Sequence, residues 1–351
     1  MLSCCVFKKI KTKLDKELIS FLKQTNKTYS LDRISPLLLK SMRNFILRDG
    51  KRIRPILFIV GYLGFARKAA TNLYTSAIAI ELLHDFMLVH DDIIDKSDTR
   101  RGKPSMHILL GNHLKKYKNV KFSGQDLALV VGDIMYAMAI DAFLSIKEKS
   151  QRKEKAFRSF LRAAVYTGSG EFIELLGGLK TLEKTSKQSI YKIYDYKTAH
   201  YTFACPLSTG AILAGATKNQ VDKLFDYGIY LGRAFQIKDD ILGVFGDHRE
   251  IGKSTLSDLQ EAKKTLLIWR TYNNSNKKNK HLIKTVFTKK RVTRTDLLKI
   301  RKVIKASGSL DYANGEISRL VKKANSIITS SRMRPQYKNS LISYTKKSFD
   351  A

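Results

Sequence analysis

An all-α fold is expected from three features of the sequence. Only five prolines occur in 351 residues. Runs that alternate apolar and polar residues, the mark of half-buried strands, are few. The long apolar stretches carry helical spacing instead, and two of them run straight into carboxylates. The first extends from Ala77 to Val89 and meets Asp91, Asp92 and Asp95; the second, within Leu231–Ile237, meets Asp239 and Asp240. A chain this long buries one large core or two modest ones. No repeat and no long linker divides it, so one domain over residues 1–351 is expected, with 1–30 and 329–351 peripheral.

The elements follow in order. Leu14 to Leu22 reads as an amphipathic helix. Ser35-Pro36 supplies an N-cap and a proline at the first helical position, and the helix runs through Leu37, Leu38, Met42 and Ile46 to a stop at Asp49-Gly50. Pro55 opens the next helix, which leaves Lys51, Arg52 and Arg54 at a junction where backbone N–H groups also attract anions. The apolar helix into Asp91 follows. Asn112 to Gly124 reads as a polar connection, and Gly132-Asp133 as the start of another apolar helix through Tyr136 and Phe143. Gln151 to Lys155 reads as a solvated charged stretch and Gly168-Ser169-Gly170 as punctuation. Ala204 to Ala216 is rich in small residues, which let helices approach closely. After the second acidic helix, Gly246 to Gly252 reads as a loop; helical periodicity resumes at Leu297–Ile304 and Ile317–Ile328.

The first acidic cluster carries the chemistry. At 3.6 residues per turn, Asp91 and Asp95 lie about 40° apart around a helix and Asp92 about 100° from Asp91. Carboxylates this close repel unless a cation sits among them. Oxygen donors favour a hard ion, Mg²⁺ ahead of Zn²⁺, with its remaining sites open to water and phosphate. Arg100 and Arg101 follow at once, both suited to bidentate phosphate contacts. His84 falls on the carboxylate side of the helix, and Gln236 lies one turn before Asp240. Two acidic helices facing across a bundle can hold more than one metal ion. Acids followed by an arginine pair read as a site for a Mg²⁺-bridged diphosphate.

Lys and Arg number 65 against 31 acids, a formal net charge of +34. Such a charge suits anionic substrates and loose attachment to an anionic membrane surface. Nucleic acid is not the expected partner, because no zinc-finger spacing or RNA-recognition aromatic motif accompanies the lysines. Cys4, Cys5 and Cys205 give no disulfide framework, so a reducing cytoplasm is expected. Cys4 and Cys5 beside a basic segment are a weak acylation signal. The stretch before Lys8 is too short for a secretory signal, and no apolar run is expected to span a membrane.

These pieces, taken in order, resemble the trans (head-to-tail) isoprenyl diphosphate synthases, the farnesyl and geranylgeranyl diphosphate synthase group. The resemblance spans about 43–324. It rests on Gly50-Lys-Arg-Ile-Arg-Pro55, Asp91-Asp-Ile-Ile-Asp95 with Arg100-Arg101-Gly102, Lys197-Thr198, and Phe235-Gln-Ile-Lys-Asp-Asp240. It implies an all-α helical bundle of the isoprenoid synthase type, usually a homodimer, with a cavity between two facing aspartate-rich motifs. It further implies that Asp91, Asp92, Asp95 and Asp239, with Asp240 beside it, serve Mg²⁺ binding. Arg100, Lys197 and Lys253 would contact the allylic diphosphate, and Lys51, Arg54, His84 and Arg101 would hold isopentenyl diphosphate. Thr198 and Gln236 would face the reacting carbons.

The sequence departs from the family pattern at Gly243, where a third aspartate is usual, and at Glu171, where a glutamine is common. Whether Asp247 compensates for Gly243 is left open. In the family, bulky residues four and five positions before the first motif limit product growth; here they are Met87 and Phe86. An aromatic at the fifth position with a non-aromatic at the fourth resembles geranylgeranyl synthases, so a twenty-carbon product is expected, with farnesyl diphosphate next. Three alternatives remain: a weakly active partner subunit, for which Gly243 speaks; a class I terpene cyclase, whose Asn/Ser/Glu metal motif is not found; and a basic nucleic-acid or membrane-surface binding protein, which leaves the aspartates unexplained.

Overall fold

A computed structural model describes residues 2–246 and 256–349. The described chain is helical nearly throughout, as expected; its only strands are the antiparallel two-residue pair β1 (Thr99–Arg100) and β2 (Lys103–Pro104). The chain forms two compact units. The first comprises residues 1–160, 206–221 and 332–343; the second comprises 161–205, 222–331 and 344–351.

In the first unit, α1 (Leu2–Tyr29), α3 (Pro36–Ile46), α4 (Ile53–Leu63), α6 (Met106–Leu114) and α7 (Gly124–Leu144) surround α5 (Leu73–Ile94), and α7 packs against α5 most extensively. A four-residue helix, α2 (Leu31–Ile34), joins α1 to α3. Ala77, Ile78, Ala79, Ile80, Leu82 and Leu83 are all buried, so the middle of α5 is enclosed on every side, as a central helix must be. The Ser35 side chain accepts a hydrogen bond from the Leu38 N–H, capping α3 as its sequence requires. The small-residue stretch after Cys205 also behaves as expected. A Cβ at Gly210 would stand 2.2 Å from the Phe58 carbonyl, and one at Gly61 2.2 Å from that of Leu207.

Several boundaries differ from the sequence reading. The first helix is longer, because exposed polar residues extend it beyond the apolar Leu14–Leu22 stripe. Pro55 is the third residue of α4, and Arg52, in left-handed backbone at φ 49°, makes the turn into it. Asn112 lies inside α6. Helix α7 starts eight residues before Gly132, because Ser123 and Asp126 form a reciprocal capping box. Gly132 is instead a mid-helix contact for the His90 ring. By length and apolarity alone α7 is a membrane-span candidate, contrary to the expectation that no run reaches that length; one of its faces is packed against α5 and α6.

Helix α8 (Ser150–Gly178) takes in both the charged Gln151–Lys155 stretch and the glycines at 168 and 170. In the second unit, α9 (Lys187–Tyr194) passes without a break into a π-helical segment, Asp195–Ala204, ahead of α10 (Cys205–Leu213). The acidic helix α11 (Lys218–Phe245) follows, then helices Leu266–Asn273, Lys277–Phe287, Arg294–Ala306 and Ser309–Thr329. Their buried Ile268, Ile283, Ile300, Ile304 and Leu320 form this unit's core with Ile190 and Ile237.

Candidate active site

The first acidic cluster closes α5. The Asp95 N–H bonds to the Asp91 carbonyl, ending the helix on its own last turn. Asp91 and Asp95 each present a carboxylate oxygen within 4.8 Å of the other, and both side chains are partly buried. Two anions this close, with oxygen donors only, fit a hard divalent cation. Asp92 is turned the other way. It is 0% exposed and accepts from Arg100 Nε at 2.8 Å, while Arg100 Nη2 also reaches Asp91 Oδ2 at 3.1 Å.

The arginine pair sits on the β1–β2 hairpin. Its turn residues, Arg101 and Gly102, have φ of 54° and 70°, so the two-residue loop needs left-handed backbone twice. Gly102 adopts this without strain; Arg101 does so at a cost of about 1 kcal/mol. Arg48 pins both strands, donating to the carbonyls of Arg100 at 3.2 Å and Pro104 at 2.8 Å. Gly50 leaves room for the Arg101 guanidinium, whose Cζ would lie 3.3 Å from a Cβ there.

The basic junction divides by direction. Lys51 is exposed and Arg54 half-buried, whereas Arg52 is buried. Arg52 donates to Glu81 Oε1 at 2.7 Å, to Asp15 at 3.2 Å, and to the carbonyls of Ile46 and Arg48. It is therefore a structural cation. Arg52→Ala removes the hydrogen-bonded partner of the buried Glu81 carboxylate and is expected to cost about 3–5 kcal/mol, read as a lowered denaturation midpoint; a shift under 1 kcal/mol would contradict the assignment. His84 is buried beside this cluster. Burial, then Arg54, Arg101, Arg100 and Arg52, hold its imidazole well below its ordinary pKa, so it stays neutral at working pH.

Phe86 and Met87 are both half-buried on α5. Phe86 stacks on Tyr136 of α7 with ring centroids 5.0 Å apart and meets His90 edge-on at 4.6 Å. Tyr136, not singled out from the sequence, therefore belongs to any wall that Phe86 forms.

The second unit has its own polar group. Lys197 Nζ lies 2.6 Å from Glu171 and also bonds Glu174, both on α8. Thr198 Oγ1 donates to Gln236 Oε1 at 2.6 Å, and Gln236 Nε2 donates to Asp240 Oδ1 at 3.0 Å. Asp240 also accepts from the Tyr194 hydroxyl, which in turn accepts from the Leu266 N–H at 2.8 Å. Burial pushes the Asp240 carboxyl well above the usual range, and the bonds from Tyr194 and Gln236 only partly offset this. Asp239, one residue earlier, is exposed. The π-helical turn presents Lys197 and Thr198, and such turns collect at functional sites. Gly170 makes room for it: a Cβ there would stand 2.5 Å from the Lys197 backbone nitrogen.

Lys253 and Asp247 lie outside the described residues. Gly243 is closely packed. The space a side chain would need is taken by Asp258, whose Oδ2 stands 2.3 Å from an ideal Cβ. Glu174, Tyr194 and Asp258 were missed because each lies far along the chain from the residue it stands beside.

The model of the family described as polyprenyl synthetase matches residues 35–304. A geranylgeranyl diphosphate synthase of Sulfolobus acidocaldarius is 32% identical over 291 residues, 82% of this chain and 83% of that protein. A geranylfarnesyl diphosphate synthase of Aeropyrum pernix is 30% identical, covering 82% and 85%. A crystal structure of the Corynebacterium glutamicum geranylgeranyl pyrophosphate synthase, complexed with isoprenyl diphosphate and magnesium, superposes with a TM-score of 0.89 at 26% identity over 97% of this chain and 98% of that one. By its match to the family model and its identity to these relatives, the chain belongs to the polyprenyl synthetase family.

Proposed function

We propose that this protein is a Mg²⁺-dependent prenyltransferase that condenses isopentenyl diphosphate with an allylic diphosphate and releases geranylgeranyl diphosphate, with farnesyl diphosphate as the alternative product. The observation that carries this reading is the placement of Asp91 and Asp95 beside Arg100. The names of the relatives agree with it. Both units belong, in this reading, to one catalytic domain.

Asp91 and Asp95 would hold a metal ion at the end of α5, and Asp239 would offer a further carboxylate; Asp92 and Asp240 work behind them, on Arg100 and Gln236. When bound, Mg²⁺ supplies Lewis-acid stabilisation of the leaving diphosphate. Arg100 and Lys197 add fixed positive charge to the same end. Lys51, Arg54, His84 and Arg101 orient isopentenyl diphosphate, whose double bond attacks the allylic carbon as its C–O bond breaks. The Thr198 and Gln236 oxygens stabilise the positive charge that develops on carbon. A proton is then lost, to the released diphosphate, and forms the new double bond. The Asp258 carboxylate, which fills the space beside Gly243, is proposed to stand in for the missing aspartate, and this speaks against a partner-subunit reading.

Incubation of the purified chain with isopentenyl diphosphate and each allylic primer, with and without Mg²⁺, tests this. A metal-dependent prenol after dephosphorylation supports it; no product with any primer overturns it. The protein is further proposed to act in the cytoplasm as a homodimer. The exposed Leu129, Val130 and Leu144 of α7 are the apolar surface that supports a dimer, and light scattering at twice the chain mass checks it. Loose membrane association is supported by residues 277–305, which carry nine lysines and three arginines against one acid, Asp296. Flotation with anionic but not neutral vesicles is the expected result.

A further inference from the structure

Helix α5 carries a buried acidic stripe of which the mechanism above uses only Asp92, behind Arg100. Glu81, Asp85 and Asp92 are spaced i, i+4 and i+11, within about 60° of one another around the axis. They are 2%, 0% and 0% exposed. The outer two are each hydrogen-bonded by an arginine, Glu81 by Arg52 and Asp92 by Arg100. Asp85, between them, is not: neither of its carboxylate oxygens accepts a hydrogen bond. Its nearest cation is Arg101, with Nη2 4.0 Å from Oδ1; the same nitrogen is 3.9 Å from Glu81.

A buried carboxylate without hydrogen bonds is costly as an anion. The charged and titratable groups around it are Glu81 and His84 on its own helix, Arg52 and Arg54 at the start of α4, Arg101 on the hairpin, and Arg48 after α3. Burial first, then Glu81, push the Asp85 carboxyl up to about 8, against the opposing pull of Arg101, Arg52 and Arg54. His84 is neutral here and does not titrate in the same range. Arg101 and Arg54 are the cations assigned above to isopentenyl diphosphate, so the inference rests on that reading.

We propose that Asp85 is a positioning residue for isopentenyl diphosphate, acting through Arg101 and taking up a proton as the diphosphate binds. Ionised, Asp85 competes with the diphosphate for the Arg101 guanidinium; protonated, it leaves that charge to the substrate. The incoming anion in turn disfavours the ionised form. If it raises the group by about one unit, linkage makes the KM for isopentenyl diphosphate rise about fivefold between pH 7 and pH 9, and binding at pH 8 takes up about 0.4 proton.

The test compares wild type with Asp85→Asn, which keeps the shape and fixes the neutral form. KM for isopentenyl diphosphate is measured from pH 7 to pH 9 at saturating allylic primer and constant ionic strength. The wild-type value is expected to climb and the variant value to stay flat within twofold. Calorimetric titration of wild type with isopentenyl diphosphate at pH 8, in two buffers of different ionisation enthalpy, reads the proton directly and needs no variant. Parallel pH profiles, or no proton uptake in wild type, overturn the proposal while leaving the enzyme reading intact. A protein that neither binds nor turns over isopentenyl diphosphate defeats both.

Discussion

Asparagine at both Asp91 and Asp95 is expected to lower kcat/KM by at least about 10³-fold. The two carboxylate oxygens lie within 4.8 Å of each other at the end of α5, and the double substitution removes both charges while keeping volume and helix. Fold should survive, because the buried contacts are made by their neighbour: Asp92 holds Arg100, and Arg48 holds the hairpin. The loss should persist as Mg²⁺ is raised, since the donors themselves are gone. A double variant with activity within tenfold of wild type and unchanged metal dependence would remove these two residues from the metal site. Asp92→Asn is a different experiment. It withdraws the buried partner of Arg100, so its activity loss should come with a lowered melting temperature.

Phe86→Ala is expected to lengthen the product by at least one isoprene unit, read by chromatography of the dephosphorylated prenols. The expectation comes from the family resemblance, in which bulky residues four and five positions before the first aspartate motif limit the growing chain; here these are Met87 and Phe86 of α5. The structure adds Tyr136, stacked on Phe86 with centroids 5.0 Å apart. One ring removed leaves the other free to move into the gap, so Phe86→Ala alone should give a mixture, and the double variant with Tyr136→Ala a further shift. Phe86 is only half-buried, so the stability cost should fall below the about 3–5 kcal/mol of a fully buried phenylalanine. Unchanged product length in both variants would show that the floor lies elsewhere.

Fold class, the central helix and the chemistry at its end were legible in the sequence. Helical periodicity, the Ser35-Pro36 start and the Asp91–Asp95 spacing are local patterns, and local patterns are what 3.6 residues per turn writes into a chain. Helix limits were less legible where a cap decided them. The Ser123–Asp126 box starts α7 ahead of its apolar run, and Gly132 and Gly170 read as breaks although both lie inside helices. A glycine wanted for close approach and one wanted for a turn look alike until the neighbour is known.

Tertiary structure decided which member of each charged group does what. Arg52 and Lys51 are adjacent in sequence, yet one is sealed against Glu81 and the other lies in solvent. Asp91 and Asp92 divide in the same way, as do Asp239 and Asp240, because consecutive helical residues point about 100° apart and only one of them can face the core. Tyr194 and Glu174, which bond Asp240 and Lys197, stand 46 and 23 positions away, and Asp258, which fills the space beside Gly243, stands 15 positions away. The sequence by itself therefore determined which chemical groups this protein has and on which helices. Folding decided which of them are exposed to substrate and which are desolvated supports, because burial and long-range pairing are properties of the packed chain.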